Sequence, residues 1–179
     1  SFSFDDSAWK SGPAQLGYGD GDEITVLGFG PNSTAKFITT YFRKSFTVAN
    51  PASVTALTVR LVRDDGGVVY LNGAEVFRSN LPEGDLTATT LATSSVGGAD
   101  ESSFYERDFD PALLVKGLNT LAVEIHQIGG DSSDLSFDLE LVGRTDSQQI
   151  QLGGSVIYYS GGSKVPGVRL GLAGDDLQT

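Results

Sequence analysis

Along the 179 residues, apolar positions recur with a period of two and nowhere with a sustained helical period. Leu135, Phe137, Leu139 and Leu141 alternate strictly with Ser136, Asp138 and Glu140, the signature of a strand with one buried face. Leu57, Val59 and Leu61 alternate in the same way with Thr58, Arg60 and Val62. Leu121, Val123 and Ile125 point one way within 120–126. Residues 37–48 include the aromatic and charged run Tyr41-Phe42-Arg43-Lys44-Ser45-Phe46, and Asn50-Pro51 ends that strand. Two short runs, 68–71 and 74–77, flank Asn72-Gly73, a pair suited to positive φ at both turn positions, and so predict a tight hairpin.

The intervals are less regular. Residues 1–19 read as a loop-rich edge, 24–29 as a short strand, and 79–103 as a long polar connection with one short strand near 87–91. Asp110 before Pro111 predicts an N-capped helical turn. No window of 11 residues carries a helical stripe, so the expected class is all-β, a sandwich or barrel. The period breaks after Val142. The pattern divides the chain into a module at 1–142, a polar linker at 143–149 and a β-hairpin appendage at 150–179. Thirty-odd residues bury no core alone, so that tail packs on the module, pairs with another chain, or opens a following domain.

Composition narrows the function. Hydrophobic residues make up 39% of the chain, enough for a core, and the absence of cysteine excludes disulfides and thiolate metal sites. A net charge of −11 supplies no basic face and argues against nucleic acid. No apolar run is long enough for a membrane-inserting helix. What acidity favours is oxygen-rich sites for hard cations.

Two acidic stretches are candidates for Ca2+. Asp64-Asp65 follows the 57–62 strand, and adjacent carboxylates at a strand end supply oxygens without long-range assembly. The alternative is that Asp64 caps a turn while Asp65 pairs with Arg63 or Arg43. Asp20, Asp22 and Glu23 alternate like the acids of a calcium loop, without the rest of an EF-hand pattern. His126, the single histidine, ends a strand; it is either a buried, hydrogen-bonded residue or part of one rim with Asp64, Asp65 and Asp134. Trp9, Tyr18, Tyr41, Phe77 and Tyr105 are candidate stacking faces for sugar rings, and Tyr105 is taken with Asp64, Asp65, His126 and Asp134 as the candidate carbohydrate-binding set. No nucleophile elbow, phosphate loop or dinucleotide fingerprint occurs, so an enzyme is not expected.

The ordered segments FRKSFTV, RLVRDDGGVVYLNGAEVF and LLVKGLNTLAVEIH resemble the galactose-binding-like jelly roll, in particular the sugar-binding domain of family 2 glycoside hydrolases. DDSAWKSGPAQLGYGDGDE, TTYFRKSF and HQ followed by SSDLSFDLEL are similar to an uncharacterised domain of bacterial secreted multidomain proteins. DDGGVVYLNG resembles lectin domains of the anthrax protective-antigen type, whose Asp-Asp pair, sometimes joined by a cis peptide, holds calcium against sugar hydroxyls. SVIYYSGGSKVPGVRLGLAG is similar to the opening of a surface-protein repeat of immunoglobulin-like or carboxypeptidase-regulatory type. These resemblances imply a jelly-roll β-sandwich acting as a non-catalytic carbohydrate-binding or adhesion module, with a structural calcium. They place it outside the cell or on the cell surface of a bacterium. The alternative is a subunit of an extracellular filament or surface layer, self-associating by strand exchange through 150–179.

Overall fold

The computed structural model describes residues 4–145 with their side chains, and the backbone of 149–152, 156–160 and 169–170. Its strands are β1 (Lys10–Gly12), β2 (Leu16–Tyr18), β3 (Thr25–Val26), β4 (Thr39–Val48), β5 (Val54–Arg63), β6 (Gly66–Leu71) and β7 (Ala74–Ser79). They continue with β8 (Tyr105–Phe109), β9 (Gly117–His126), β10 (Leu135–Thr145), β11 (Gln149–Leu152), β12 (Val156–Ser160) and β13 (Arg169–Leu170). One sheet has the order β1-β12-β13-β4-β9-β6-β7, the other β3-β2-β10-β5-β8 with β11 on β10. The chain is thus a jelly-roll β-sandwich, as expected, and no α-helix occurs among the described residues.

The alternating runs face each other across the interior. Phe42 of β4 and Phe137 of β10, both fully buried, stack with ring centroids 3.9 Å apart. Leu57, Val59, Leu61, Leu121, Val123, Ile125, Leu139 and Leu141 fill the same core. Replacing Phe42 by Leu is expected to lower unfolding free energy by about 1–2 kcal/mol in urea titration, since the stacking is lost while most of the volume stays. A change below about 0.5 kcal/mol would show that the two rings do not pin the sheets together.

The outer faces of the two sheets differ. On the second sheet, Thr58 donates to Asp108 at 2.6 Å, and Arg60 lies between Glu106, at 2.6 Å, and Glu140. That face is wet, so β5 keeps its clean apolar-polar alternation. On the first sheet, residues 80–97 fold over the outer face: Val68, Leu81 and Leu86 form a small second cluster, with Tyr70 packed on it. No strand forms at 87–91. The carbonyls that would build a ladder are taken by side chains, Ala88 O by Thr39 Oγ1 and Thr90 O by His126 Nδ1.

Both predicted corners form. Asn72 and Gly73 have φ of 53° and 89°, and the one-turn 3-10 helix at Pro111–Leu113 is capped by Asp110, which accepts from Ala112 N at 2.8 Å. The two asparagines of the YLNG and GLN segments meet. Asn119, fully buried, accepts from Asn72 Nδ2 at 2.8 Å and Val115 N at 2.9 Å, and donates to Val115 O and Gly117 O. Gly66 and Gly67 are strand residues rather than a flexible hinge. A Cβ on Gly66 would meet Asn80 O at 2.7 Å, and one on Gly67 would meet Leu61 Cδ2 at 2.9 Å.

In the tail, β11 pairs with β10, while β12 lies between β1 and β4 with Tyr159 opposite Tyr41. β10 itself runs on to Thr145, into the segment read as a linker. The described tail strands are therefore woven into both sheets.

Candidate functional site

The turn from β5 to β6 crosses from one sheet to the other, and Asp64 and Asp65 occupy it. Their mutual peptide bond is cis. The backbone of this turn is held firmly: Asp64 N donates to Ser136 O at 3.0 Å, and Asp65 O accepts from Arg63 Nη1 at 2.8 Å and Asn80 Nδ2 at 3.0 Å. The two carboxylates then have opposite fates. Asp65 Oδ1 accepts from Val96 N and Oδ2 from Ile128 N, each at 2.7 Å, so Asp65 ties two loops to the turn. Asp64 is 1% exposed, and neither of its carboxylate oxygens has a partner. Burial, and after it the neighbouring charges of Asp65 and Asp134, push its carboxyl up to about 8.

Around it stand acids delivered by loops far apart in sequence. Carboxylate oxygens of Asp20, Glu101 and Asp134 lie within 4.8 Å of one another. Asp20 follows β2, Glu101 sits on the 3-10 turn Gly98–Ser102, and Asp134 leads into β10. Ser136 Oγ donates to Asp20 Oδ2 at 3.1 Å, and Ser133 Oγ to Asp134 Oδ1 at 2.9 Å. Burial, then the charges of Asp134 and its neighbours, raise both Asp20 and Glu101 above the usual carboxylate range. Tyr18 beneath is pushed up to about 12, chiefly by burial, with Asp64, Asp134 and Asp65 adding to it. Gln127 Nε2 donates to Tyr18 Oη at 3.1 Å and Asp134 O at 2.7 Å, while its buried Oε1 has no partner. The rim is a set of mutually repelling oxygens with orphaned acceptors at its base, a donor set suited to a hard cation.

The predicted residues divide accordingly. Asp20 and Asp134 come together with Glu101, and Asp22 and Glu23 lie within reach of Asp20, whereas Asp64 belongs to neither group and feels Asp134 and Glu101 only through their charge. Glu23 caps its own turn, accepting from Asp20 N and Gly21 N at 3.0 Å each. Tyr105 has the Arg63 guanidinium over its ring at 4.1 Å, so that face is covered. His126 does not join the rim: it is fully buried on the outer face of the first sheet, turned toward Glu124 and the 86–92 loop. Glu101 and Gln127 complete the rim, the first beside Asp20 and Asp134 and the second bonded to Asp134 O. Gln127 was visible as the second letter of HQ, but nothing in the polar stretch 79–103 marks Glu101.

No family model and no curated protein matches the chain. Among solved structures, an α-L-rhamnosidase of Streptomyces avermitilis complexed with L-rhamnose is similar at TM-score 0.49 and 21% identity, over 75% of this chain and 12% of that one. An α-L-rhamnosidase of Dictyoglomus thermophilum gives 0.47 and 17%, over 83% and 16%. A Pleurotus ostreatus lectin in its apo form gives 0.41 and 19%, over 73% and 32%. The chain spans less than a third of each of these proteins.

Proposed function

We propose that the chain is a non-catalytic carbohydrate-binding module, outside the cell or on the cell surface of a bacterium, whose acidic rim holds a structural calcium ion. The observation that carries this reading is Asp64: a carboxyl group that is buried among other acids, receives no hydrogen bond and keeps its proton up to about 8 is one that a cation would bind by displacing that proton. Asp64, Asp20, Glu101 and Asp134 would provide anionic oxygens and Gln127 Oε1 a neutral one, the mixture calcium accepts. The ion would neutralise the rim and draw the 20–23, 98–102 and 127–134 loops together, ordering a surface for sugar hydroxyls. The absence of a nucleophile elbow or cofactor loop in the sequence supports binding without chemistry.

Calcium titration of chelator-treated protein is expected to raise the melting temperature, by an increment equivalent to about 3 kcal/mol at a hundredfold excess over Kd. Asp64→Asn should remove that increment. An unchanged melting curve eliminates the ion from the account. A glycan array read with calcium and with chelator tests the second half, and a blank array in both conditions sinks the carbohydrate reading while leaving the metal standing.

The alternative, a filament or surface-layer subunit, draws on one observation: β12 fills the place between β1 and β4 that a neighbour's strand would take on exchange. Light scattering over a concentration series distinguishes it, since a monomer at all concentrations excludes exchange.

A further inference from the structure

Residues 80–97 cover the outer face of the first sheet, whereas that of the second sheet holds a hollow of about 470 Å3, open to solvent, above β5 between β8 and β10. Its side chains stand in cross-strand rows, because residues directly opposite on an antiparallel pair share a face. Glu140, Arg60 and Glu106 make the first row, and Val142, Thr58 and Asp108 the second. Arg144, opposite Ala56, closes the far end. Two residues of strand separate successive rows, roughly 6.8 Å. The outward positions of β10 join the hollow to the acidic rim: Ser136 bonds Asp20 there, and Glu140, Val142 and Arg144 follow along the strand.

The first two rows hold one another in place. Arg60 donates through Nε to Glu106 at 2.6 Å and through Nη1 to Glu140, and its guanidinium lies 4.6 Å from the ring centroid of Phe104. Thr58 commits its hydroxyl hydrogen to Asp108 Oδ1 at 2.6 Å. Each of these bonds uses one oxygen of its acid. The second oxygens of Glu106, Asp108 and Glu140 have no donor among the described residues, and Arg144, exposed, makes no ion pair there. The lining is therefore an ordered array of acceptors and one guanidinium fork around the small apolar floor of Val142. Three acids against two arginines leave one negative charge, and the pairs of the first row are already closed. An anionic polymer would meet carboxylates, and a polycation would find a single uncompensated charge. The complement is an uncharged ligand rich in hydroxyls, each able to donate to a carboxylate oxygen and to accept from a guanidinium.

We propose that this hollow is a second carbohydrate subsite, independent of the metal, which takes a segment of a neutral linear oligosaccharide. The inference rests on the reading of the chain as a carbohydrate-binding module, and it adds where an uncharged chain lies and which side chains hold it. The volume falls within the roughly 300–1,000 Å3 of small-ligand sites. Side chains already fixed by mutual bonds lose little freedom when a ligand arrives. Asp108 and Arg144 are the principal contacts to sugar hydroxyls, since neither is held in the Arg60 row.

The test is a nitrogen-15 spectrum of the full chain, in calcium and again in chelator, titrated with cello-, manno- and xylo-oligosaccharides of increasing length. Amides of β5, β8 and β10 around the hollow should shift equally in both conditions, and longer chains should bind more tightly than disaccharides. Asp108→Ala and Arg144→Ala should each weaken binding at least about tenfold, as expected when a hydrogen bond to a charged group is lost. Both side chains project from the wet face, and far-ultraviolet dichroism checks that the variants are folded. Spermidine and oligogalacturonate, a cationic and an anionic probe, should leave the hollow unshifted. Shifts confined to the rim and abolished by chelator overturn the hollow while the module reading stands. No shift anywhere with any oligosaccharide overturns both. Affinity unmoved in the two variants, or a hollow that prefers either charged probe, overturns the subsite as well.

Discussion

Metal-free protein is expected to lose stability steadily as pH rises from about 4 to about 8, and Asp64→Asn is expected to flatten most of that slope. In the unfolded chain the Asp64 carboxyl gives up its proton near 3.8, whereas in the folded protein burial and the Asp65 charge hold it until about 8. Between those values the native state binds more protons than the unfolded one, so unfolding free energy falls as pH climbs, and it levels off above 8. At about 1.4 kcal/mol per pH unit the loss approaches about 6 kcal/mol as an upper bound, a large share of the stability of a domain this size. At pH 8 without metal the Asn variant should therefore melt above the parent, and calcium should reverse the ranking. A flat stability profile in the parent, or an equal slope in the variant, would falsify the unpartnered state of this carboxylate. Chemical denaturation at a series of pH values, in chelator, decides it.

Asn119→Ala is expected to cost about 3 kcal/mol, with little change in the denaturant slope. The side chain is fully buried and completes four hydrogen bonds at once, to Asn72 Nδ2, Val115 N, Val115 O and Gly117 O. Removing it leaves several of those groups in a space with no other partner, and each unsatisfied buried group costs about 1–3 kcal/mol. Asn119→Asp keeps the acceptor side but turns an anion toward two carbonyls, so it should do no better than Ala. Asn72, held at positive φ and bonded through Oδ1 to Thr120 N, ties the β6–β7 hairpin to the same knot. A loss below about 1 kcal/mol in Asn119→Ala would mean that water replaces the amide.

Several features needed no coordinates. Period-two runs at 57–62, 120–126 and 135–141, the Asn-Gly turn and the Asp-Pro cap are local: backbone φ preferences and side-chain alternation act within a few residues, so type and order of the main strands were legible. Adjacency also announced Asp64 and Asp65. It could not announce that Asp65 spends both oxygens on Val96 N and Ile128 N while Asp64 has none to accept from, because those donors arrive from loops 31 and 63 residues away. Glu101 joined Asp20 and Asp134 for the same reason.

Alternation identified which side chains of β9 leave the core, yet not what they meet outside it. Thr58 and Arg60 on β5 face water, whereas Glu124 and His126, with the same pattern on β9, are buried under residues 80–97. Local patterning decided strands, turns and the inward face, since those follow from neighbours along the chain. The covering of the outward face, and therefore which polar groups lose their water and must find a cation or a hydrogen bond, was decided only when distant loops packed, because desolvation depends on everything within a few ångströms regardless of sequence distance.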